Sequence, residues 1–343
     1  MDAPDVATVS DDSAVVFAGP EVRHYEGLDP DTEYEIDGAA FRTLPRPPGE
    51  RLATITTVND VHFGETVCGM IAGQPDIGPV LRAAEDEPPY PETMNAAAVE
   101  EMAALDPDLV VAKGDLTDDG RDGEYEAFLR CYGRFGDRLL HVRGNHDAYR
   151  GQVFADFGPQ RRDVPGAAVV LLDTTTPRSA SGQFTADDEA WLDDVASSAA
   201  RAGLPVLVFG HHHVWSPDST TRPASYYGIV PDGSERLVAV FERRPNLAGY
   251  FAGHTHRNRV KRISATGRRP WVEVACVKDF PGAWAEYRVF EGGVLQVFHR
   301  VVRPDALAWA ERTRAMFDGT YAYYAYGTLA DRCFAVTDVT QAR

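Results

Sequence analysis

From residue 52 onward, compact apolar runs alternate with stretches whose apolar residues recur every three to four positions. The compact runs predict strands at 52–58, 109–112, 139–142, 168–172, 205–209 and 248–252. The amphipathic stretches between them predict helices at 94–105, 124–132, 187–200 and 234–243, the third with Thr185 as its N-cap. Strands and helices in alternation build an α/β domain. Two more strands at 285–290 and 294–301 and a helix at 305–317 precede the aromatic run Tyr321-Ala322-Tyr323-Tyr324-Ala325-Tyr326. That run reads as a strand or hairpin packed on the domain, with a dimer or substrate-edge surface as the competing reading. Upstream, residues 14–43 alternate around the turn Gly27-Leu28-Asp29-Pro30-Asp31-Thr32 and end in the Pro-rich segment 44–49. A short β appendage and a linker are expected there.

Composition narrows the choice of partners. With 52 acidic against 34 basic residues the formal charge is -18, which argues against long nucleic acid or an anionic membrane as a ligand, since both are bound through Lys/Arg patches. A small anionic substrate needs a local positive charge, and bound metal supplies one. The N-terminal stretch lacks a basic and apolar leader, and no apolar run reaches the length of a membrane span, so the expected compartment is cytoplasmic. Cys68, Cys131, Cys276 and Cys333 are scattered without a CxxC pair, which predicts neither a disulfide framework nor a zinc knuckle.

The chemistry follows the strands. Asn59-Asp60-Val61-His62, Lys113-Gly114-Asp115, Arg143-Gly144-Asn145-His146-Asp147, Gly210-His211-His212-His213 and Gly253-His254-Thr255-His256 each lie at the carboxyl end of a predicted strand. In α/β sheets these ends share a rim, so five such clusters predict one site. Imidazoles mixed with carboxylates suit Zn, Mn or Fe rather than Ca. Asp60 and His62, like His254 and His256, are two apart and could point the same way from an extended segment, each pair chelating. The ligands outnumber those of one catalytic zinc, which points to two ions sharing a carboxylate.

With these motifs the chain resembles the calcineurin-like metallophosphoesterases, whose series runs DxH, GDxxD, GNH[DE], a strand-end His and GHxH. The series stands here as Asp60-Val61-His62, Gly114-Asp115-Leu116-Thr117-Asp118, Gly144-Asn145-His146-Asp147, Gly210-His211 and Gly253-His254-Thr255-His256. The likeness covers roughly 52–301 and is nearest to bacterial phosphodiesterases of the cyclic-nucleotide and glycerophosphodiester kind. Asp118 stands where a purple acid phosphatase would carry a tyrosine ligand. The resemblance implies an α/β/β/α sandwich of two mixed sheets flanked by helices over 50–301, an appendage over 1–49, and a C-terminal helix and Tyr-rich tail over 302–343. It also implies one metal held by Asp60, His62, Asp115 and His256, and a second held by Asp115, Asn145, His211 and His254. His211 is taken as the first His of the family's H-x-P segment, although His213 replaces its proline.

The resemblance further implies two divalent or mixed-valence ions, Mn and/or Fe with Zn as the alternative, and attack by a hydroxide bridging them. Two divalent ions less Asp60, Asp115 and a hydroxide leave a charge of about +1 to draw an anion. His146 and Asp115 are the catalytic residues, His146 as a non-ligand that donates a proton or hydrogen bond. Asp118, Asp147 and Asp173 have loop-holding roles as alternatives to site roles, and Cys68 reads as incidental. Arg143 and His212 are candidate phosphate contacts, and Arg143 or Arg257 would serve a dianionic monoester. The expected substrate is a small soluble phosphodiester, with a phosphomonoesterase or a non-catalytic scaffold as alternatives and a homodimer left open.

Overall fold

The computed structural model describes residues 4–19, 21–70 and 78–337. The expected appendage and tail also include residues 1–3, 20 and 338–343, which lie outside the described residues. The chain opens with β1 (Asp5–Val9), β2 (Ser13–Ala18), β3 (Glu21–Glu26), β4 (Glu33–Ile36) and β5 (Ala39–Arg42). Next come β6 (Arg51–Val58), α1 (Tyr90–Ala104), β7 (Leu109–Lys113), α2 (Asp122–Tyr132), β8 (Leu139–Val142) and α3 (Asn145–Ala148). These lead into β9 (Gln160–Val164), β10 (Ala167–Leu172), α4 (Ala186–Arg201), β11 (Val206–Gly210) and α5 (Pro231–Arg243). After them run β12 (Leu247–Ala252), β13 (Arg259–Arg262), β14 (Pro270–Glu273), β15 (Ala283–Phe290) and β16 (Gly293–Arg300). The chain then passes through α6 (Pro304–Thr313), α7 (Thr320–Tyr326), α8 (Leu329–Arg332) and β17 (Phe334–Thr337).

Two six-stranded sheets, ordered β17-β16-β15-β6-β7-β8 and β13-β14-β12-β11-β10-β9, make the body. Alternation within the strands sorts their side chains into layers. In β10, Val169 and Leu171 face the other sheet with Ile55, Val111 and Phe209, while Ala168 and Val170 face α4 and α5. On the far side, Val110 packs under Met94, Met102, Phe128 and Trp309 from α1, α2 and α6. The result is helix, sheet, sheet, helix, with strands apolar on both faces because both are covered. The expected sandwich of two mixed sheets is the observed fold: β6–β7–β8 and β10–β11–β12–β14 are parallel, and the flanking pairs antiparallel.

Thr185 caps α4 as expected, its Oγ1 accepting from Asp188 N at 3.2 Å. Other expectations are corrected. The helix expected to reach residue 317 ends at Thr313, and a short turn follows at Met316–Gly319, where Phe317 and Asp318 take left-handed φ of 52° and 53°. The tyrosine run is helix α7 rather than a strand: Tyr321 and Ala325, four apart, are buried together, and Gly319 and Gly327 bound it with positive φ. The expected β appendage holds five strands and starts earlier than residue 14, with β1, and it seats on β16 through Thr8 Oγ1 donating to Phe298 O at 2.7 Å. Strands β9, β13, β14 and β17 were not foreseen.

Candidate metal centre

The parallel strands β6, β7, β8, β11 and β12 all end at one rim, where the chain turns sharply. Asp60, His62, Asp115, His254 and His256 have φ of 52°, 46°, 49°, 68° and 53°. Left-handed backbone at a residue with a side chain costs roughly 1–3 kcal/mol and persists where the surroundings impose it. Asp60 and His62 therefore converge through these turns, not through strand alternation as expected. His254 and His256 do not converge: His256 joins Asp60 and His62, whereas His254 joins His211 and His212. The reason is that two successive left-handed turns aim them into different groups.

Small residues make this crowding feasible. A Cβ on Gly144 would fall inside van der Waals contact of Asp115 Oδ1, and one on Gly114, itself at φ 93°, would lie 2.7 Å from His211 Nδ1. Asp147 ties the loops together by accepting from Leu116 N (3.0 Å), Thr117 N (2.8 Å), Thr117 Oγ1 (2.6 Å) and Gly144 N (2.7 Å). Burial, and then the charge of Asp115, push its carboxyl up to about 6.

Ion-to-ligand bonds of about 2.0–2.2 Å put neighbouring ligand atoms roughly 3.0–3.5 Å apart. The site has this spacing: His256 Nε2 to Asp60 Oδ1 is 3.3 Å, His62 Nε2 to Asp115 Oδ2 3.5 Å, and His211 Nε2 to Asp115 Oδ2 3.4 Å. His211 Nε2 also lies 3.0 Å from Asn145 Oδ1. Asp115 stands between the two groups. Both ring nitrogens of His62 are buried without a hydrogen-bond partner among the described residues, as suits a ligand. The donor set thus fits two transition-metal ions.

Carbonyl partners fix the tautomers. His211 Nδ1 donates to Lys113 O (2.9 Å) and His254 Nε2 to Tyr227 O (2.7 Å), leaving the other nitrogen of each ring to face the centre. Burial, assisted by His211, pulls His254 down to about 4, so it is neutral. Burial opposes charge on His62 and His211 as well, yet Asp115 wins, aided at His62 by Asp118 and at His211 by Asp60, and they are pushed up to about 10 and about 9. The carboxylates demand positive charge there.

A cavity of about 450 Å³ opens onto the centre, with His62, His146, His254 and His256 on its floor. His146 Nδ1 donates to Asp118 O at 2.5 Å, and its backbone N–H to Asp115 Oδ1 at 2.9 Å. Asp173 binds Thr175 and the Arg143 guanidinium (2.9 Å), which also meets Asp156, so Arg143 is a structural residue and not a phosphate contact. Arg257 is likewise held by Glu273 at 2.8 Å. His212 is fully buried, with Thr174 Oγ1 2.8 Å from its Nδ1. Cys68 is buried beside Asp279. Sequence reasoning missed Lys278, the one lysine or arginine among the described residues on the cavity wall, and its partners Glu65 (2.7 Å) and Asp279 (3.3 Å). Lys278 and Asp279 follow β14, which ends in the ion-paired Glu273, and Glu65 follows β6. No helix among the described residues is long and apolar enough to cross a membrane.

Comparison with known proteins places the fold in a family. Glycerophosphodiester phosphodiesterase GpdQ of Enterobacter lignolyticus is 30% identical over 176 residues, which are 47% of this chain and 61% of that protein. The 3',5'-cyclic adenosine monophosphate phosphodiesterase CpdA of Pseudomonas aeruginosa is 34% identical over 168 residues, 46% of this chain and 58% of that one. The chain therefore spans about three fifths of the length of these relatives. The crystal structure of a dimetal phosphatase from Danio rerio superposes with a TM-score of 0.56 at 16% identity, over 74% of this chain and 98% of that chain, a likeness of fold. Residues 53–258 match the calcineurin-like phosphoesterase family, and the chain belongs to it.

Proposed function

We propose that the protein is a two-metal phosphodiesterase acting on a small soluble phosphodiester. The observation that supports this reading is that Asp60, His62 and His256 cluster on one side of Asp115, and Asn145, His211 and His254 on the other. Asp60, His62, Asp115 and His256 would hold one ion, and Asp115, Asn145, His211 and His254 the other. Mn and Fe suit this mixed N/O set, as does Zn. When bound, such ions supply Lewis acidity for phosphoryl oxygens and a water ionised near neutral pH. The chain's own groups do the rest: Asp115 aligns both halves, and His146 offers Nε2 to the cavity. With its Nδ1–H donated to Asp118 O, a neutral His146 accepts at Nε2, and it gives a proton to the leaving group only when charged.

Preference for a diester rests on the names of the two relatives and on the cations. A terminal phosphate dianion needs additional positive groups, and Arg143 and Arg257 are bound to carboxylates while Lys278 sits between two. A non-catalytic scaffold would have lost ligand-type residues, and the sequence carries all seven. The net charge of -18 favours a small substrate over long nucleic acid. The test compares a monoester and a diester of one phenol on metal-reconstituted protein. The diester should have the higher kcat/KM. A monoester preference of tenfold, about 1.4 kcal/mol in transition-state binding, would overturn the diesterase reading while leaving the metal centre intact.

A further inference from the structure

We infer that Tyr324, on helix α7, is a positioning residue for the two metal-binding histidines of the loop Gly253-His254-Thr255-His256; this rests on the two-metal reading above. His254 and His256 both sit in left-handed backbone, so something must hold the peptide between them. On the inner side the loop is held by Asp60, which accepts from His254 N at 2.9 Å, and by His211 O, which accepts from Gly253 N at 2.9 Å. Both anchors belong to residues of the candidate metal centre itself.

The outer anchor is different. The Tyr324 hydroxyl donates to Thr255 O at 2.8 Å, the carbonyl that separates His254 from His256. Three residues beyond Thr255, Asn258 N donates to Ala325 O at 2.9 Å, and Asn258 Nδ2 reaches Ala325 O and Tyr326 O at 3.3 and 3.2 Å. Arg257, fixed by Glu273, lies 5.1 Å over the Tyr324 ring. Helix α7 is itself seated by Tyr321, whose hydroxyl donates to the buried Asp279 at 2.7 Å. A rigid element beyond the family-matched residues 53–258 thus fixes the loop that supplies one histidine to each ion. Partners behind metal ligands act by holding ligand geometry, and losing one typically weakens metal binding roughly 10- to 100-fold.

Tyr324→Phe removes only the hydroxyl, and Tyr323→Phe, at a neighbour 89% exposed, is the control. Mn²⁺ affinity is measured by competition with a chelator at a temperature where every metal-free variant is folded. The expected result is a loss of affinity of at least about tenfold for Tyr324→Phe and none for Tyr323→Phe. At saturating Mn²⁺, kcat on an aryl diester should return towards wild type with KM unchanged. Unchanged affinity, with or without a lower Tm of the metal-free protein, would overturn the inference and leave Tyr324 as a packing residue. Wild-type protein that binds no Mn²⁺ would instead overturn the two-metal reading itself.

Discussion

His146 shows how much one side chain's bonds decide. Its backbone N–H is committed to Asp115 and its Nδ1 to Asp118 O, so Nε2 alone is left for chemistry. Burial lowers its basicity against the pull of Asp115. His146→Ala should keep its metals and lose roughly 100- to 10,000-fold in kcat, more on alkyl than on aryl esters. Loss of metal in that variant would make His146 a ligand, and unchanged turnover would remove it from the reaction. His62 and His211 carry a second prediction. Both are raised above 6.5, to about 10 and about 9, so in metal-free protein their stabilisation is complete below about pH 6.5 and fades as pH rises through 9 to 10. Metal must displace those protons, so its binding strengthens over the same window. The rise in Tm on adding metal should therefore grow between pH 6.5 and 9. A rise that stays flat or shrinks with pH would contradict the assignment of these two ligands.

At the scale of elements, the turn after each strand is as constrained as the ligand it presents. Gly144 has ordinary φ, so the objection to a side chain there is steric, from the Asp115 carboxylate and backbone nitrogen and from the His211 ring. Gly144→Ala should lose metal affinity, whereas Gly133→Ala, with nothing within 4 Å, should not; equal behaviour in a metal titration would contradict the close approach. The strands that form the rim were legible because each is a short apolar run followed by ligand-type residues, as in Val110-Val111-Ala112 before Asp115. β14 was not, because Glu273 interrupts its apolar run and only its pairing with Lys261 and Arg257 makes burial tolerable. The tyrosine run misled because Tyr favours strands in general, while here the spacing of Tyr321 and Ala325 set a helix. Alternation placed His254 and His256 together, and the left-handed turns that part them are set by contacts with Asp60, His211 and Tyr324 that no local pattern records.

For the whole molecule, two facing sheets bring five strand ends, spread from Asp60 to His256, to one crevice, and the segment after residue 258 contributes the wall that the family match does not cover. The gathering of the strand-end Asp and His residues at one crevice was readable because motif order survives in the sequence. The cavity wall of Lys278, Tyr321 and Tyr324 was not, because its residues meet only through packing of α7 against the β14 end. The most direct test of the central claim is the metal content of purified, metal-stripped protein after reconstitution with excess Mn²⁺ and desalting. Two ions per chain are expected if Asp60, His62, Asp115, Asn145, His211, His254 and His256 are the ligands. One ion per chain, or none, would contradict that claim.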